Sequence, residues 1–116
     1  MIDGAHAIAD ARNLAKYLRN IKVPKYGIWA MTKNKEPDLF IKQLRGVFKK
    51  VITMPIENEF NSVSANELYK IAIKNKFKVE KSDSLTNAIG KISSKEKKLI
   101  VCFGSLYNCG NILNKN

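Results

Sequence analysis

The sequence is poor in the residues from which disulfide frameworks and metal centres are built. Its 116 residues include two cysteines and a single histidine. Cys102 and Cys109 are too few for a disulfide framework, and together with His6 they cannot supply the ligands of a structural zinc site. We therefore expect both cysteines to be reduced core thiols in a cytoplasmic protein, and we expect no metal site in this chain.

Long apolar runs and glycine-rich phosphate motifs are also missing. No apolar stretch approaches the roughly 18 to 20 residues that a membrane-spanning helix needs. Residues 1–6 contain no basic region followed by an apolar stretch, so no secretory signal is predicted. Neither G-x-x-x-x-G-K-[ST] nor G-x-G-x-x-G occurs. The chain is therefore not expected to contact a membrane, or to hold a nucleoside triphosphate tightly by itself.

Acidic residues are scarce relative to basic ones. Asp and Glu number 10 against 21 Lys and Arg, which gives a net charge of +11. Such a surplus favours an anionic partner, for example a nucleic acid, a membrane surface or a polyanionic small molecule. However, the lysines scatter through every segment of the sequence, and aromatic residues do not alternate with arginines as in a nucleic-acid platform. We interpret the lysines as solvated faces, and nucleic acid is not the expected partner.

The apolar pattern predicts one domain over residues 1–116, in which strands and helices alternate. A length near the commonest domain size and 45% hydrophobic residues permit a single core. Alternation of this kind indicates a doubly wound, mainly parallel sheet with helices on both faces, a Rossmann-like α/β fold. The chain is predicted to begin with a short apolar stretch at Met1–Ala5 and a helix from Ala7 to Leu18. The predicted strands are Tyr26–Thr32, Lys50–Met54, a weak one at Phe77–Glu80, and Leu99–Phe103. The helices between them start at Pro37, with Phe40, Ile41, Leu44, Val47 and Phe48 on its apolar side, at a cap formed by Ser64 and Glu67, and at a cap formed by Asp83 or Ser84, and a final short helix is predicted at Tyr107–Asn114.

Glycines next to polar residues follow the first apolar segment and the last predicted strand. Ligands of parallel α/β sheets bind beyond the carboxyl ends of the strands. Gly4 and Gly104 would let a ligand approach the backbone closely. His6 could donate a hydrogen bond to a phosphate or carboxylate, Asp3 could accept one from a ribose or an amine, and Ser105 could bind a carboxylate. Each feature taken alone also fits a plain turn or helix cap.

Taken together, these motifs resemble a known family. Residues 3–6, followed by a helix that contains Ala11-Arg12-Asn13-Leu14-Ala15, resemble the D-G-A-H-N opening of the C-terminal domain of folylpolyglutamate and dihydrofolate synthases. Residues 101–107, with Gly110 beyond them, resemble the closing G-S-[LF]-Y-x-x-G signature of that family. Residues 34–37, 51–56 and 61–68 resemble its intervening loop, strand and helix. The resemblance covers essentially the whole chain in the correct order.

The resemblance implies a Mur ligase-related enzyme that uses ATP and Mg²⁺ to join L-glutamate to folate or dihydropteroate. In this family an N-terminal domain, absent here, carries the P-loop, the magnesium ligands and most of the folate site. A substrate carboxylate becomes an acyl phosphate, and the amine of glutamate then displaces phosphate. The C-terminal domain closes over that site and contributes contacts to nucleotide and glutamate. The isolated chain is therefore expected to be inactive.

Transferred by motif position, Asp3 and His6 are expected to bind nucleotide, Ser105 to bind glutamate, and Gly4 and Gly104 to allow close approach. No catalytic residue is expected in this chain alone. One departure is that Ala7 stands where the family motif has asparagine, which removes an amide that could order the loop or contact ligand. The sequence leaves open whether the chain is a piece of a longer enzyme, half of a split enzyme or a remnant.

Two other functions remain open at this stage. A stand-alone basic α/β module that binds nucleic acid or another polyanion would explain the net charge of +11, but it leaves both end motifs unexplained. A structural or regulatory domain that docks on a partner chain would present an exposed apolar patch.

Overall fold

The computed structural model describes residues 4–56, 59–92, 97–104 and 111–114. These residues form four α-helices, a short 3-10 helix at Lys33–Lys35 and one five-stranded sheet. No helix in this part of the chain is both long and apolar enough to cross a membrane. In chain order the elements are α1 (Gly4–Arg19), β1 (Lys25–Ala30), α2 (Pro37–Lys42), β2 (Lys50–Thr53), α3 (Ala65–Lys74), β3 (Val79–Lys81), α4 (Leu85–Ile92), β4 (Lys98–Gly104) and β5 (Asn111–Asn114).

The sheet has the order β3-β2-β1-β4-β5. Strands β1, β2, β3 and β4 run parallel, and β5 pairs antiparallel with β4 at the edge. The central strands are almost entirely buried because both of their faces are covered, as expected for parallel sheets. The predicted Rossmann-like, doubly wound and mainly parallel fold is confirmed.

Helices pack on both faces of the sheet. One face carries α1, α2 and α3, whose apolar residues share a core with the side chains of Trp29, Val51, Val101 and Phe103. The other face carries α4, whose Ala88 and Ile92 pack on a second core. The strand residues of this second core are Tyr26, Ile28, Ala30, Ile52, Ile100 and Cys102. Cys102 is buried there as a thiol, as predicted, whereas Cys109 lies outside the described residues.

Phe103 lies in the larger core next to the end of β4 and contacts three other aromatic rings. Its ring stacks on three others, with centroid distances of 6.3 Å to Trp29, 6.2 Å to Phe40 and 5.1 Å to Phe48. Gly27 makes room for it, since a Cβ at that position would lie 2.6 Å from Phe103 Cε1. This packing fixes the carboxyl ends of β1 and β4 relative to each other.

The chain ends differ from the sequence prediction. Gly4 and Ala5 belong to α1, so the helix begins within the short apolar stretch at Met1–Ala5, and residues 1–3 lie outside the described part. The final helix predicted at Tyr107–Asn114 is wrong for residues 111–114, which form β5. Residues 107–110 are not described. β4 offers an open edge, and the backbone of β5 pairs with it, which outweighs local helix propensity.

Two helix starts carry the serine caps that the sequence predicts. Ser64 Oγ accepts a hydrogen bond from the Glu67 N–H at 3.1 Å, and Ser84 Oγ accepts one from the Asn87 N–H at 3.2 Å. Pro37 is in the first turn of α2, also as predicted. However, α2 ends at Lys42, so Leu44, Val47 and Phe48 reach the core from the turns that follow it.

Candidate ligand-binding edge

The strand order places a switch point between β1 and β4. Successive strands from β1 to β3 are added on one side of β1, whereas β4 lies on its other side. Connections leave such a pair towards opposite faces of the sheet, which opens a crevice at the carboxyl ends of the two strands. Ala30 and Gly104 are the paired last residues of β1 and β4. Gly104, a residue predicted from the sequence, therefore lies at the switch point.

Gly104 is required by the packing of the two strands. Its φ of +90° lies in the left-handed region that side chains avoid. A Cβ there would lie 2.2 Å from the carbonyl oxygen of Ala30 and 3.0 Å from Trp29 Cδ1. The group that approaches Gly104 closely in the structure is thus the backbone of β1. Close approach of a ligand to Gly104 stays a prediction.

Helix α1 has its amino terminus at the same edge as Gly104. The guanidinium of Arg19, its last residue, donates a hydrogen bond to the carbonyl oxygen of Arg45, which precedes β2 and so lies at the amino-terminal edge of the sheet. A helix of 16 residues is about 24 Å long, and therefore its start reaches the carboxyl edge. Gly4 is its first residue and His6 lies in its first turn. Unpaired amides at such a helix start favour an anion.

The side chains predicted to bind ligand are not among those described. Asp3 and Ser105 lie outside the described residues, and for His6 only the helical backbone is described. The structure thus positions the backbone of Gly4, His6 and Gly104 at or towards one edge. Whether the side chains of Asp3, His6 and Ser105 meet there stays a prediction from the sequence.

Trp29 is a feature of this edge that sequence reasoning missed. It is fully buried, and its Nε1 has no hydrogen-bond partner among the described residues. The adjoining atom of the indole ring, Cδ1, borders Gly104. A buried donor without a partner is uncommon. The sequence showed only an apolar residue in a buried strand, so no pattern could identify this N–H group.

The end of β2 and the loop that follows it are hydrogen-bonded to the end of β1, to the loop after β1 and to the start of α3. The amides of Met54 and Val63 donate to the carbonyl oxygens of Trp29 and Met31 at 3.0 and 2.9 Å. Thr53 Oγ1 donates to the carbonyl oxygen of Ala65 at 2.9 Å. Most of these groups are buried, so the hydroxyl of Thr53 stabilises the structure of this edge.

A cleft of about 320 Å³ lies between the start of α2 and the side of α3 that carries Glu67 and Ile71. Glu36, at its rim, is a non-glycine residue with φ of +51°. Apolar side chains and charged groups of both signs share the lining, so the cleft carries no single charge preference. Its lining residues are Lys33, Glu36, Pro37, Asp38, Leu39, Val63, Glu67 and Ile71.

Asp38 links α2 to the end of α3. Its carboxylate accepts hydrogen bonds from Asn75 Nδ2 and from Lys42 Nζ, both at 2.9 Å, and Lys74 Nζ lies 3.9 Å away. The pKa of Asp38 lies below its ordinary value, chiefly because of the hydrogen bond from Asn75 and then that from Lys42. Among the described residues, no group of three His, Cys, Asp or Glu side chains could hold a metal ion.

The lowered pKa of Asp38 predicts an acid-dependent loss of stability. The ionised carboxylate stabilises the fold above the unfolded-state pKa of about 3.9, and that contribution disappears as the pH falls through the lower folded-state pKa. Because the side chain is about one-third exposed, we expect an effect of only about 0.5 kcal/mol. Urea unfolding at about pH 6 and pH 3 should show a smaller acid-induced loss in Asp38→Asn than in the wild type. The exposed Asp83→Asn control should match the wild type, and an equal loss in all three would contradict this account.

The strand order and the crevice at the β1–β4 switch point define a Rossmann-like α/β domain. Residues 1–115 match the family described as the C-terminal domain of dihydrofolate synthetase, and the chain belongs to that family.

Solved structures share this fold. A Mycobacterium tuberculosis folylpolyglutamate synthase complexed with ADP matches with a TM-score of 0.68 and 23% identity, over 78% of this chain and 21% of that one. A second structure of that enzyme, complexed with ADP and AMPPCP, matches equally well. E. coli FolC in complex with ADP, without folate substrate, matches with a TM-score of 0.68 and 17% identity, over 81% of this chain and 23% of that one. No curated protein matches the chain.

Proposed function

We propose that this chain acts as the C-terminal domain of an ATP-dependent amide ligase that adds L-glutamate to folate or dihydropteroate. The observation that carries the proposal is the family match over residues 1–115. The chain spans about a fifth of the length of the ligases that it matches in structure. We infer that a P-loop domain, on the same chain or on a separate one, supplies the rest of the catalytic site in the cytoplasm.

The residues predicted to bind ligand have complementary tasks in this proposal. When bound, ATP supplies the phosphoryl group that activates the acceptor carboxylate, and we assign it with Mg²⁺ mainly to the P-loop domain. His6 donates a hydrogen bond to a phosphate oxygen, and Asp3 accepts one from the ribose or orients His6. Ser105 binds the carboxylate of glutamate. Gly4 and Gly104 keep side chains away from the ligands.

The contribution of this domain is positioning and the exclusion of water. Phosphoryl transfer depends mainly on orientation and on the stabilisation of charge. An activated acyl group would be hydrolysed in open solvent, so closing this domain over the P-loop domain protects it. The hydrogen bonds between the loops after β1 and β2 support this role, because an edge that is fastened internally can close as one surface.

Binding of ADP, measured by calorimetry, tests the nucleotide contacts. This chain alone is expected to bind ADP negligibly, since it has no P-loop. Adding the chain to a P-loop domain from the same enzyme should strengthen ADP binding by about tenfold, the size of one hydrogen bond to a charged group. The His6→Ala chain should lose most of that gain. Equal ADP affinity with and without the wild-type chain would overturn the assignment of nucleotide contacts.

A further inference from the structure

The fold gathers lysines and arginines that are scattered in the sequence onto one edge of the sheet. The segments that precede the four parallel strands are residues 20–24, 43–49, 75–78 and 97. Together with Arg19 we call them the basic edge. Their described residues include no Asp or Glu. The exposed cations of the basic edge are Arg19, Lys22, Arg45, Lys49, Lys76, Lys78 and Lys97.

Hydrogen bonds show that these segments are neighbours. The Lys49 amide donates to the Lys25 carbonyl at 2.7 Å, the Val51 amide to Lys78 at 2.9 Å, and the Leu99 amide to Pro24 at 3.0 Å. Adjacent strands are about 4.8 Å apart, so the row of cations extends about 14 Å from the segment before β3 to the segment before β4. The basic edge is thus a continuous stripe, which the order of residues in the sequence conceals.

The described loops of the opposite edge lack this surplus. The described loops after β1, β2 and β3 carry Glu36, Glu59 and Asp83 beside Lys33 and the buried Lys35. Hence, among the described loops, the surplus of positive charge lies at the end of the strands opposite the edge proposed to bind ATP and glutamate. Cations in the last turn of a helix are expected from the helix dipole. The loop cations Lys22, Lys49, Lys78 and Lys97 lie beyond the helix ends and are not explained in that way.

The basic edge also contains a depression of about 220 Å³. Arg45, Gly46, Asn75, Lys76 and Phe77 line it. Phe77 is partly exposed and also packs against the larger core, and it shares the lining with the two cations and Asn75. Proteins that bind single strands combine a cationic track for the backbone with an aromatic ring on which a base stacks.

We propose that the basic edge binds single-stranded nucleic acid, as a second function separate from ligation. The stripe of cations follows the phosphates, and the depression beside Phe77 receives a base. A membrane surface would use the cations alone and would leave the depression without a role. The proposal does not depend on ligase activity, because the basic edge and the ligand-binding edge lie at opposite ends of the strands.

Binding of a fluorescent 12-residue oligouridylate to the full chain, measured by anisotropy at several salt concentrations, tests the proposal. The triple variant Lys22→Gln, Arg45→Gln, Lys78→Gln removes three cations of the basic edge. We expect its affinity to fall at least tenfold at about 0.1 M salt, and the slope of log K against log salt to become shallower by about 2. The matched triple variant Arg12→Gln, Lys33→Gln, Lys70→Gln removes the same charge from exposed sites elsewhere and should bind almost like the wild type.

Equal weakening by the two triple variants would overturn the proposal, since binding would then reflect net charge alone. Displacement of the oligonucleotide by poly-L-glutamate as readily as by unlabelled oligouridylate would also overturn it, as would wild-type binding that does not respond to salt. Unchanged melting temperatures exclude unfolding as the cause of a loss. Ligation by the basic-edge variant with a P-loop domain should stay at the wild-type level, so failure of either proposal can be told from failure of the other.

Discussion

Replacing Gly104 by alanine is expected to destabilise the domain by roughly 3 kcal/mol or more. The new Cβ would lie 2.2 Å from the carbonyl oxygen of Ala30, and φ is +90°. Neither strand can yield easily, because β1 and β4 are central strands with both faces covered. Thermal unfolding should show a fall in Tm of more than about 10 °C for a domain of this size.

Two other glycines serve as controls for this effect. Neither Gly46 nor Gly90 has an atom within 4 Å of an added Cβ. Gly46 has φ of +76°, so Gly46→Ala should cost only the backbone strain, about 1 kcal/mol. Gly90 lies inside α4, where alanine should stabilise the fold by about 0.5 to 1 kcal/mol. A Gly104→Ala variant within about 1 kcal/mol of the wild type would contradict the described junction of β1 and β4.

Removing the predicted ligand contacts should reduce ligation strongly while the fold persists. In an enzyme reconstituted with a P-loop domain, we expect His6→Ala to lower kcat on the order of 100-fold, because a donor to developing charge is lost. Ser105→Ala should raise KM for glutamate by about tenfold, because one hydrogen bond to a carboxylate is lost. Initial rates at varied ATP and glutamate concentrations separate the two effects.

Matched controls make this test specific to the site. Asn13→Ala removes an exposed polar side chain from the same helix as His6, and Thr86→Ala removes an exposed hydroxyl from α4. Both controls should ligate at the wild-type rate. If His6→Ala and Ser105→Ala also turn over normally, the assignment of these two residues is wrong. Similar Tm values for all four variants are required before the rates are compared.

The sequence was sufficient to predict the fold class and most elements. Local patterns carry that information: the apolar run that became β1 (Lys25–Ala30), the caps at Ser64 and Ser84, and Pro37 at the start of α2 all match the structure. Boundaries were less accurate where tertiary contacts decide them. The strand predicted at Phe77–Glu80 is β3 at Val79–Lys81, where its backbone pairs with β2.

Features that depend on neighbours distant in sequence could not be predicted. β5 forms because β4 has an open edge, and nothing local in Asn111–Asn114 indicates a strand. Gly104 was identified as a close-approach residue, but its nearest neighbour is the carbonyl oxygen of Ala30, 74 positions earlier in the sequence. The N–H of Trp29, which has no partner among the described residues, could be recognised only in the packed core.

The candidate site was also predictable only in part. Its position at the strand carboxyl ends follows from the parallel α/β class, and the structure places Gly104 there. The roles of Asp3, His6 and Ser105 come from the family motifs, which local physics alone could not supply. The basic edge could not be predicted from the sequence, because its lysines and arginines come together only through the strand order.

Release of ADP from Mg-ATP in the presence of L-glutamate and a folate or pteroate acceptor tests the central claim most directly. It should be measured for this chain alone, for a P-loop domain of the same enzyme alone, and for the two mixed. We predict turnover that requires glutamate and occurs only in the mixture. Absence of turnover in a mixture of folded domains, or equal turnover by the P-loop domain alone, would contradict the claim that this chain is a working part of the ligase.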